Sequence, residues 1–197
     1  QALVERALKE YERIDTLINN AGLTMWANFE ELRDLSPLKT IMEVNYFGSV
    51  FCTHYALPYL KRSRGRIVVV NSLLGKAGVP TRSGYAASKH ALAGFFNSLR
   101  NELYGSGVTI STVYPDFVAT STHERAFGAD GKPVGKSPVQ EDKIMSAETC
   151  AQLILRAAAQ RKRDTILGLR GRFGQWLLLL APGLVDRIAR RAIQRGR

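Results

Sequence analysis

The run Arg66-Ile-Val-Val-Val-Asn-Ser72 lies near the middle of this chain and contains an unbroken apolar stretch that is followed directly by a polar pair. A short apolar run that ends at polar residues is typical of a buried strand, and we predict a strand over residues 66–71. Because the run ends at the polar pair, the Ser72 hydroxyl is expected to project into a cleft at that end of a sheet.

Strands alternate with helices on both sides of this run. Further strands are predicted near residues 15–19, 108–114 and 165–168. Helices are predicted over residues 1–13, 36–60, 84–104 and 146–160, the last with Ser146 as its N-cap. This alternation predicts an α/β fold in which helices cover both faces of a parallel sheet.

Tyr85 and Lys89 lie four residues apart in the run Ser83-Gly-Tyr-Ala-Ala-Ser-Lys89, so on a helix both side chains leave from one face. An ammonium beside a phenol favours the phenolate, which lowers a pKa of about 10 towards the range where general acid–base catalysis is efficient. The pair alone also fits an ordinary solvated helix face. Its companions in the chain decide between the two interpretations.

Other motifs accompany the pair in a fixed order. They are Asn19-Asn-Ala-Gly22 at the end of an apolar strand, Asn45 inside a long helical pattern, Ser72, and Pro115-Asp-Phe-Val-Ala-Thr120 after a later strand. Asparagine has little intrinsic reason to lie inside a helix. With Tyr85-x-x-x-Lys89, this set resembles the short-chain dehydrogenase/reductase family in order and spacing, which implies a Rossmann-like, doubly wound parallel sheet.

The resemblance also implies a chemistry and a set of site residues. The expected reaction interconverts an alcohol and a ketone or aldehyde with NAD or NADP as cofactor, on a small-molecule substrate that we expect to be apolar. The implied catalytic residues are Tyr85 as acid–base, Lys89 holding the Tyr85 pKa down and binding the nicotinamide ribose, Ser72 donating to the substrate oxygen, and Asn45 positioning a relay water. Asn20, Ala21, Gly22, Val118 and Thr120 are the implied cofactor contacts, besides Tyr85 and Lys89. Asp116 stands where the family pattern has glycine, which leaves the local cofactor geometry open.

The resemblance covers roughly residues 1–168, which we interpret as the C-terminal portion of a Rossmann-type domain. The family begins with a strand, a glycine-rich turn and a helix that bind the cofactor pyrophosphate. None of these precedes the first predicted strand here, so we expect a fragment of a longer product, inactive by itself. The alternative is a non-catalytic chain of the same ancestry that binds a membrane surface or a partner.

Residues 169–197 form a basic extension rich in leucine. The formal net charge is +11, and residues 151–197 hold 11 Lys or Arg against Asp164 and Asp186. Pro182-Gly183 divides the extension into two helical pieces, and its longest apolar run is too short to span a bilayer. Contact with an anionic membrane surface is one interpretation, and packing over the cleft or against a subunit is the other. Nucleic-acid binding is not expected, because the aromatic residues cluster with leucines.

Other functional classes find little support in the sequence. His54, His90 and His123 lack metal-ligand spacing, so no metal site is expected. Ser72 lacks a Gly-x-Ser-x-Gly elbow, which argues against a hydrolase. Cys52 and Cys150 fall in apolar helical patterns with no secretory leader before them, so we expect a cytoplasmic location, with membrane association if the extension binds lipid.

Two further expectations concern a loop and the oligomeric state. Residues 123–143 combine glycine, proline and charge without periodicity, which predicts a mobile loop that orders over the substrate as a lid, or else an ordinary surface loop. Helices 36–60 and 84–104 are expected to pair with their copies in a homodimer or tetramer. The apolar stripes assigned to that pairing are Phe47, Phe51 and Tyr55 on the first helix and Leu92, Phe96 and Arg100 on the second.

Overall fold

A parallel sheet forms the centre of the molecule. The structure is a computed structural model that describes residues 1–137, 139 and 144–195, the last four of these by their backbone alone. The sheet contains β1 (Thr16–Asn19), β2 (Arg66–Val70), β3 (Thr109–Tyr114) and β6 (Asp164–Ile166), and their order in space is β1-β2-β3-β6. Two short strands, β4 (Val118–Ala119) and β5 (Met145–Ser146), pair separately and are also parallel.

Helices pack on both faces of the sheet, as predicted. They are α1 (Ala2–Tyr11), α2 (Ser36–Met42), α3 (Gly48–Ser63), α4 (Ser83–Glu102), α5 (Ala147–Ala159), α6 (Leu169–Leu180) and α7 (Pro182–Arg195). Side chains of β2 alternate between the faces. Ile67 and Val69 join the core that includes Leu60 and Phe96 from α3 and α4, whereas Val68 joins the core under α5. The apolar run of β2 therefore serves two hydrophobic cores.

The helix predicted over residues 36–60 is present, but it is not regular. A single π-helical turn, Glu43–Phe47, separates α2 from α3. Such a turn holds one more residue than an α-helical turn and is frequent at functional sites. Asn45 lies within it and is fully buried. Ser146 caps α5 as predicted, since its hydroxyl accepts a hydrogen bond from the Thr149 amide at 3.2 Å.

One of the two stripes assigned to subunit pairing was wrong. Leu92 and Phe96 on α4 are 1% and 0% exposed, because they pack against the sheet inside the core with Ile67 and Val69. The helical period alone could not separate the core face of α4 from an outer face. The stripe on α3 is exposed: Phe47, Phe51 and Tyr55 are 43%, 57% and 39% accessible.

The first part of the segment predicted to be a mobile loop is packed against the body of the protein. The Trp26 amide donates to the Phe127 carbonyl at 2.8 Å, and the Phe127 amide donates to the Thr24 carbonyl at 2.9 Å. Ala126, the residue before Phe127, is fully buried. Residues 138 and 140–143 of the predicted loop lie outside the described residues, and the role as a lid stays a prediction.

The two C-terminal helices contact each other and meet the body near Gly171. A Cβ atom at Gly171 would lie 2.9 Å from Ile166 and 3.0 Å from Leu73, so the absence of a side chain permits the close approach. Large apolar side chains of α6 point into solvent, namely Leu169, Phe173, Trp176, Leu179 and Leu180. In the part of the chain that is described, none of the helices is both long and apolar enough to cross a membrane.

Candidate active site

The carboxyl end of β2 carries the first group of the site. Ser72 follows the strand, is buried, and accepts a hydrogen bond from the Leu74 amide at 3.2 Å. Its neighbour Asn71 accepts from the Ser72 amide at 2.9 Å and donates to the Lys89 carbonyl at 3.2 Å. Asn71 therefore connects the strand end to α4 and fixes the position of Ser72 relative to that helix.

Helix α4 brings Tyr85 and Lys89 to the same place. The Lys89 Nζ atom lies 5.7 Å from the centre of the Tyr85 ring and donates a hydrogen bond to the Val70 carbonyl at 3.0 Å. The helix approaches the loop after β2 closely, because a Cβ at Gly75 would lie only 2.9 Å from the Lys89 carbonyl. This close approach sets the tyrosine and the lysine beside Ser72.

Asn45 connects three segments through its side chain amide. Its Oδ1 accepts from the Leu23 amide at 2.7 Å, and its Nδ2 donates to the Leu23 carbonyl at 2.9 Å and to the Ser88 hydroxyl at 2.9 Å. Ser88 in turn donates to the Tyr85 carbonyl at 2.8 Å. The amide thereby holds the loop after β1 against the turn of α4 that carries Tyr85.

The electrostatics of the pair differ from the sequence-based expectation. Burial raises the pKa of Tyr85 above its usual value, although the Ser72 side chain and the positive charge of Arg82 act in the opposite direction. Burial also lowers the pKa of Lys89 to about 8. The expected depression of the Tyr85 pKa by Lys89 is therefore not found: desolvation exceeds the effects of the neighbouring groups. The nearby cation that does favour the phenolate is Arg82.

A cavity of about 370 Å³ opens beside these groups. Its walls include seven of the residues named from the sequence: Asn20, Gly22, Ser72, Tyr85, Lys89, Val118 and Thr120. Asn45 and Ala21 are not among the lining residues. Asn45 lies behind the wall, fully buried, and Ala21 is exposed.

Several residues of the site were not identified from the sequence. Asn71 and Ser88 are ordinary polar residues in strand-end and helix patterns, and only the folded chain shows that they brace Ser72 and Tyr85. Arg82 was not singled out in the sequence, yet it is 3% exposed and lies near Tyr85. Metal-ligating clusters of His, Cys, Asp and Glu are absent among the described residues.

Comparison with known proteins identifies the family of the chain. A family model described as short chain dehydrogenase matches residues 1–130, which is more than half of the chain. The chain belongs to the short-chain dehydrogenase family. The resemblance inferred from the Asn, Ser and Tyr-x-x-x-Lys motifs is confirmed, and so is the Rossmann-like fold class.

Two curated relatives illustrate the similarity within the short-chain dehydrogenases. The chain is 39% identical over 185 residues to a dehydrogenase/reductase SDR family protein 7-like of Dictyostelium discoideum, which covers 93% of this chain and 57% of that protein. It is 33% identical over 167 residues to 11-beta-hydroxysteroid dehydrogenase 1A of Arabidopsis thaliana, covering 82% of this chain and 48% of that protein. The chain thus spans about half the length of these relatives.

A solved structure supports the same fold. A short chain dehydrogenase from Burkholderia cenocepacia, crystallised in complex with NADP, superposes with a TM-score of 0.78 at 24% sequence identity. The match covers 93% of this chain and 72% of that structure. At this level of identity the similarity concerns the course of the backbone.

Proposed function

We propose that this chain is the catalytic portion of an NAD(P)-dependent oxidoreductase that interconverts an alcohol and a ketone or aldehyde, with Tyr85 as the acid–base group. The observation that carries the proposal is the convergence of Ser72, Tyr85 and Lys89 on one cavity from a strand end and a helix. Family membership supports oxidoreductase chemistry in general. Because the chain spans about half of its relatives, the activity is proposed for the longer protein.

The residues around the cavity suit a nicotinamide cofactor. The Lys89 ammonium is 4% exposed and has the Val70 carbonyl as its hydrogen-bond acceptor among the described residues, so donor capacity remains for hydroxyl groups such as those of a ribose. Gly22 leaves the surface over this lysine open, since a Cβ there would lie 3.8 Å from Nζ. Asn20, Val118 and Thr120 complete the wall proposed to hold the cofactor. When bound, a nicotinamide supplies hydride transfer.

The remaining chemistry falls to the side chains of this chain. Tyr85 donates a proton to the oxygen of a reduced carbonyl, or accepts one from an alcohol in the opposite direction. Ser72 donates a hydrogen bond to that oxygen and stabilises the negative charge that develops on it. Lys89 binds the ribose and supplies positive charge near the phenol. Asn45 is proposed to position the relay water next to Lys89. It would do so by holding the loop after β1 in place through its amide.

Burial of Tyr85 suits the reduction direction. A phenol whose pKa is raised keeps its proton at neutral pH and is available as an acid. Removal of that proton in the oxidation direction is assisted by Arg82, whose positive charge favours the phenolate. We therefore expect the oxidation rate to rise with pH over a range where the reduction rate does not.

The test replaces Tyr85 by Phe in the full-length protein. Loss of the hydroxyl removes the proton donor and leaves the ring packing nearly unchanged, so kcat should fall by about 10²-fold or more. Tyr104→Phe is the matched control, because Tyr104 is 94% exposed and distant in sequence from every site residue. Turnover of the Tyr85→Phe protein at the wild-type rate would reject the assigned mechanism.

The C-terminal extension, residues 169–197, whose described part forms α6 and α7, is proposed as a separate unit that contacts an anionic membrane surface. Support comes from the exposed apolar side chains of α6 and the exposed Arg187, Arg190 and Arg191 of α7. Such a combination of apolar and basic residues binds at a lipid interface without spanning it.

A further inference from the structure

Arg82 is a buried cation next to the proposed catalytic residues. Its side chain is 3% exposed and stacks on Trp26, with Cζ 3.3 Å from the centre of that ring. Nη1 donates to the Thr24 hydroxyl, and Nε is buried without a hydrogen-bond partner. Among the described residues Nη2 has no acceptor either. The guanidinium therefore keeps unused donors while it is fixed in orientation by the indole.

The charge of Arg82 is not compensated within the described part of the chain. No carboxylate there forms an ion pair with Arg82. Asp116 lines a small cavity together with Arg82, but it is exposed. Burial lowers the pKa of Arg82 to about 10, so the group is still a cation at neutral pH. An unpaired buried cation is costly, and perturbed groups of this kind are concentrated at functional sites.

Arg82 lies next to the residues that are proposed to catalyse the reaction. Arg82, Ser72 and Tyr85 share the lining of a second, smaller cavity of about 70 Å³. At about 30 Å³ for each water in the liquid, that volume corresponds to roughly two water molecules, which is the size of a carboxylate group or a small polyatomic anion. The Arg82 Cζ atom lies 5.8 Å from the centre of the Tyr85 ring. A group bound here would be attached close to a carbon that reacts at Tyr85.

We propose that Arg82 binds an oxyanion of the substrate, a carboxylate or a phosphate, attached near the reacting carbon. This inference rests on the proposed function, because it narrows the substrate class of the same site. A guanidinium forms short, charge-assisted hydrogen bonds to either anion. A neutral substrate would leave the buried charge without a partner, so the site discriminates in favour of the anionic compound.

The sequence provides a direct probe of this site. The chain contains two tryptophans, and Trp26 contacts Arg82 whereas Trp176 is exposed on α6. In a Trp176→Phe version of the whole 197-residue chain, fluorescence reports on Trp26 alone. Inorganic phosphate and acetate are titrated separately at constant ionic strength, with chloride as the reference anion. A saturable change in fluorescence with phosphate, acetate or both, beyond that with chloride, is expected.

Matched variants assign the response to Arg82. Arg82→Gln should weaken binding of the active anion at least tenfold, and Arg82→Lys severalfold, because lysine keeps the charge and loses the planar donor pair. Arg125→Gln, which removes an exposed arginine of the neighbouring segment, should bind as the parent does. The response to phosphate compared with acetate tells which oxyanion the site prefers. If Arg82→Gln fails to fold by circular dichroism, the parent and Arg82→Lys titrations decide.

Three results would overturn the proposal. They are a parent response no larger than that with chloride, unchanged anion binding in the Arg82 variants, and an equal loss in Arg125→Gln. The binding experiment needs no turnover, so its outcome is separate from that of Tyr85→Phe. In the full-length protein, the corresponding kinetic result is a raised KM of Arg82→Gln for an oxo acid, with no such rise for its methyl ester.

Discussion

The Lys89 side chain is almost fully buried in the wall of the cavity, and it donates a hydrogen bond to the Val70 carbonyl. Burial lowers its pKa from 10.5 to about 8. Between these values the folded chain binds fewer protons than the unfolded chain, so the free energy of unfolding must rise with pH in that window. The full shift corresponds to roughly 3 kcal/mol. Tyr85 acts with the opposite sign, but only above its ordinary pKa of 10.0.

We expect the free energy of unfolding of the wild-type chain to increase by about 2 kcal/mol relative to Lys89→Met between pH 8 and 9.5. The methionine variant carries no titrating group at this position, so its stability should vary less with pH. Denaturant unfolding at several pH values measures the difference. Lys132→Met, which removes an exposed lysine, is the control and should retain the wild-type slope. Equal slopes for Lys89→Met and wild type would show that Lys89 is solvated.

The sequence could predict which side chains line the cavity, but not which residues hold them in place. Ser72, Tyr85 and Lys89 belong to local patterns whose spacing is fixed by a strand end and a helix turn. Asn71 and Arg82 depend on distant partners, namely the α4 backbone and the Trp26 ring. No local period encodes those contacts. The direction in which the Tyr85 pKa shifts could not be predicted from the sequence either, because desolvation depends on the packed fold.

At the scale of elements, α6 presents one apolar face to solvent. Leu169, Phe173, Trp176 and Leu180 recur at helical spacing and are 82%, 71%, 68% and 82% exposed. The next helix in the chain, α7, carries exposed arginines. Each basic residue near an anionic lipid surface contributes about 1 kcal/mol. A handful of such residues, with the apolar side chains in the interface, is sufficient for measurable binding.

We expect the protein to sediment with anionic vesicles at low ionic strength and to be released by salt, since salt screens the electrostatic part. Phe173→Ser combined with Trp176→Ser should abolish most of the binding. Tyr104→Ser removes an even more exposed aromatic residue, just after the end of α4, and should have no effect. Undiminished binding of the double variant, or no sedimentation of wild type, would favour packing of this face against another protein surface.

The second exposed apolar face belongs to the π-helical turn and α3. Phe47 and Phe51 stack with ring centres 5.9 Å apart, and Tyr55 continues the stripe. We expect the full-length protein to associate through this face, so that Phe51→Glu shifts it towards a monomer in sedimentation velocity. Leu155→Glu places the same charge on an exposed apolar residue of α5 and should leave the oligomeric state unchanged. A wild-type monomer at micromolar concentration would reject the expected pairing.

Periodicity predicted the existence and order of these elements better than their detail. One long helix was expected over residues 36–60, yet Asn45 lies in a π-helical turn, where its amide bonds the Leu23 backbone and Ser88. Those partners are brought together by tertiary contacts, which override the local preference. The stripe of Leu92 and Phe96 shows a second limit. Its apolar residues predict that one face of the helix is buried, but not whether the sheet or another subunit buries it.

For the molecule as a whole, the sheet ends in an open edge. The order β1-β2-β3-β6 leaves one side of β1 without a partner strand among the described residues. Ile18 in the middle of β1 is 43% exposed. Unpaired backbone groups beside exposed apolar side chains form a template for another strand. The alternation of strands and helices predicted the two-faced architecture, but the edge becomes visible only once strand order is known.

The unpaired edge of β1 offers a pairing surface to a second copy of the chain. We expect the 197-residue chain by itself to self-associate as its concentration rises, and Ile18→Lys to reduce that association, because a charged side chain on an edge strand opposes pairing with another chain. Light scattering against concentration measures the effect. Tyr104→Lys adds the same charge at an exposed aromatic residue outside the sheet, so it separates pairing at β1 from a general gain in charge. If both variants reduce scattering equally, association does not proceed through the β1 edge, and the exposed face of α6 becomes the better candidate.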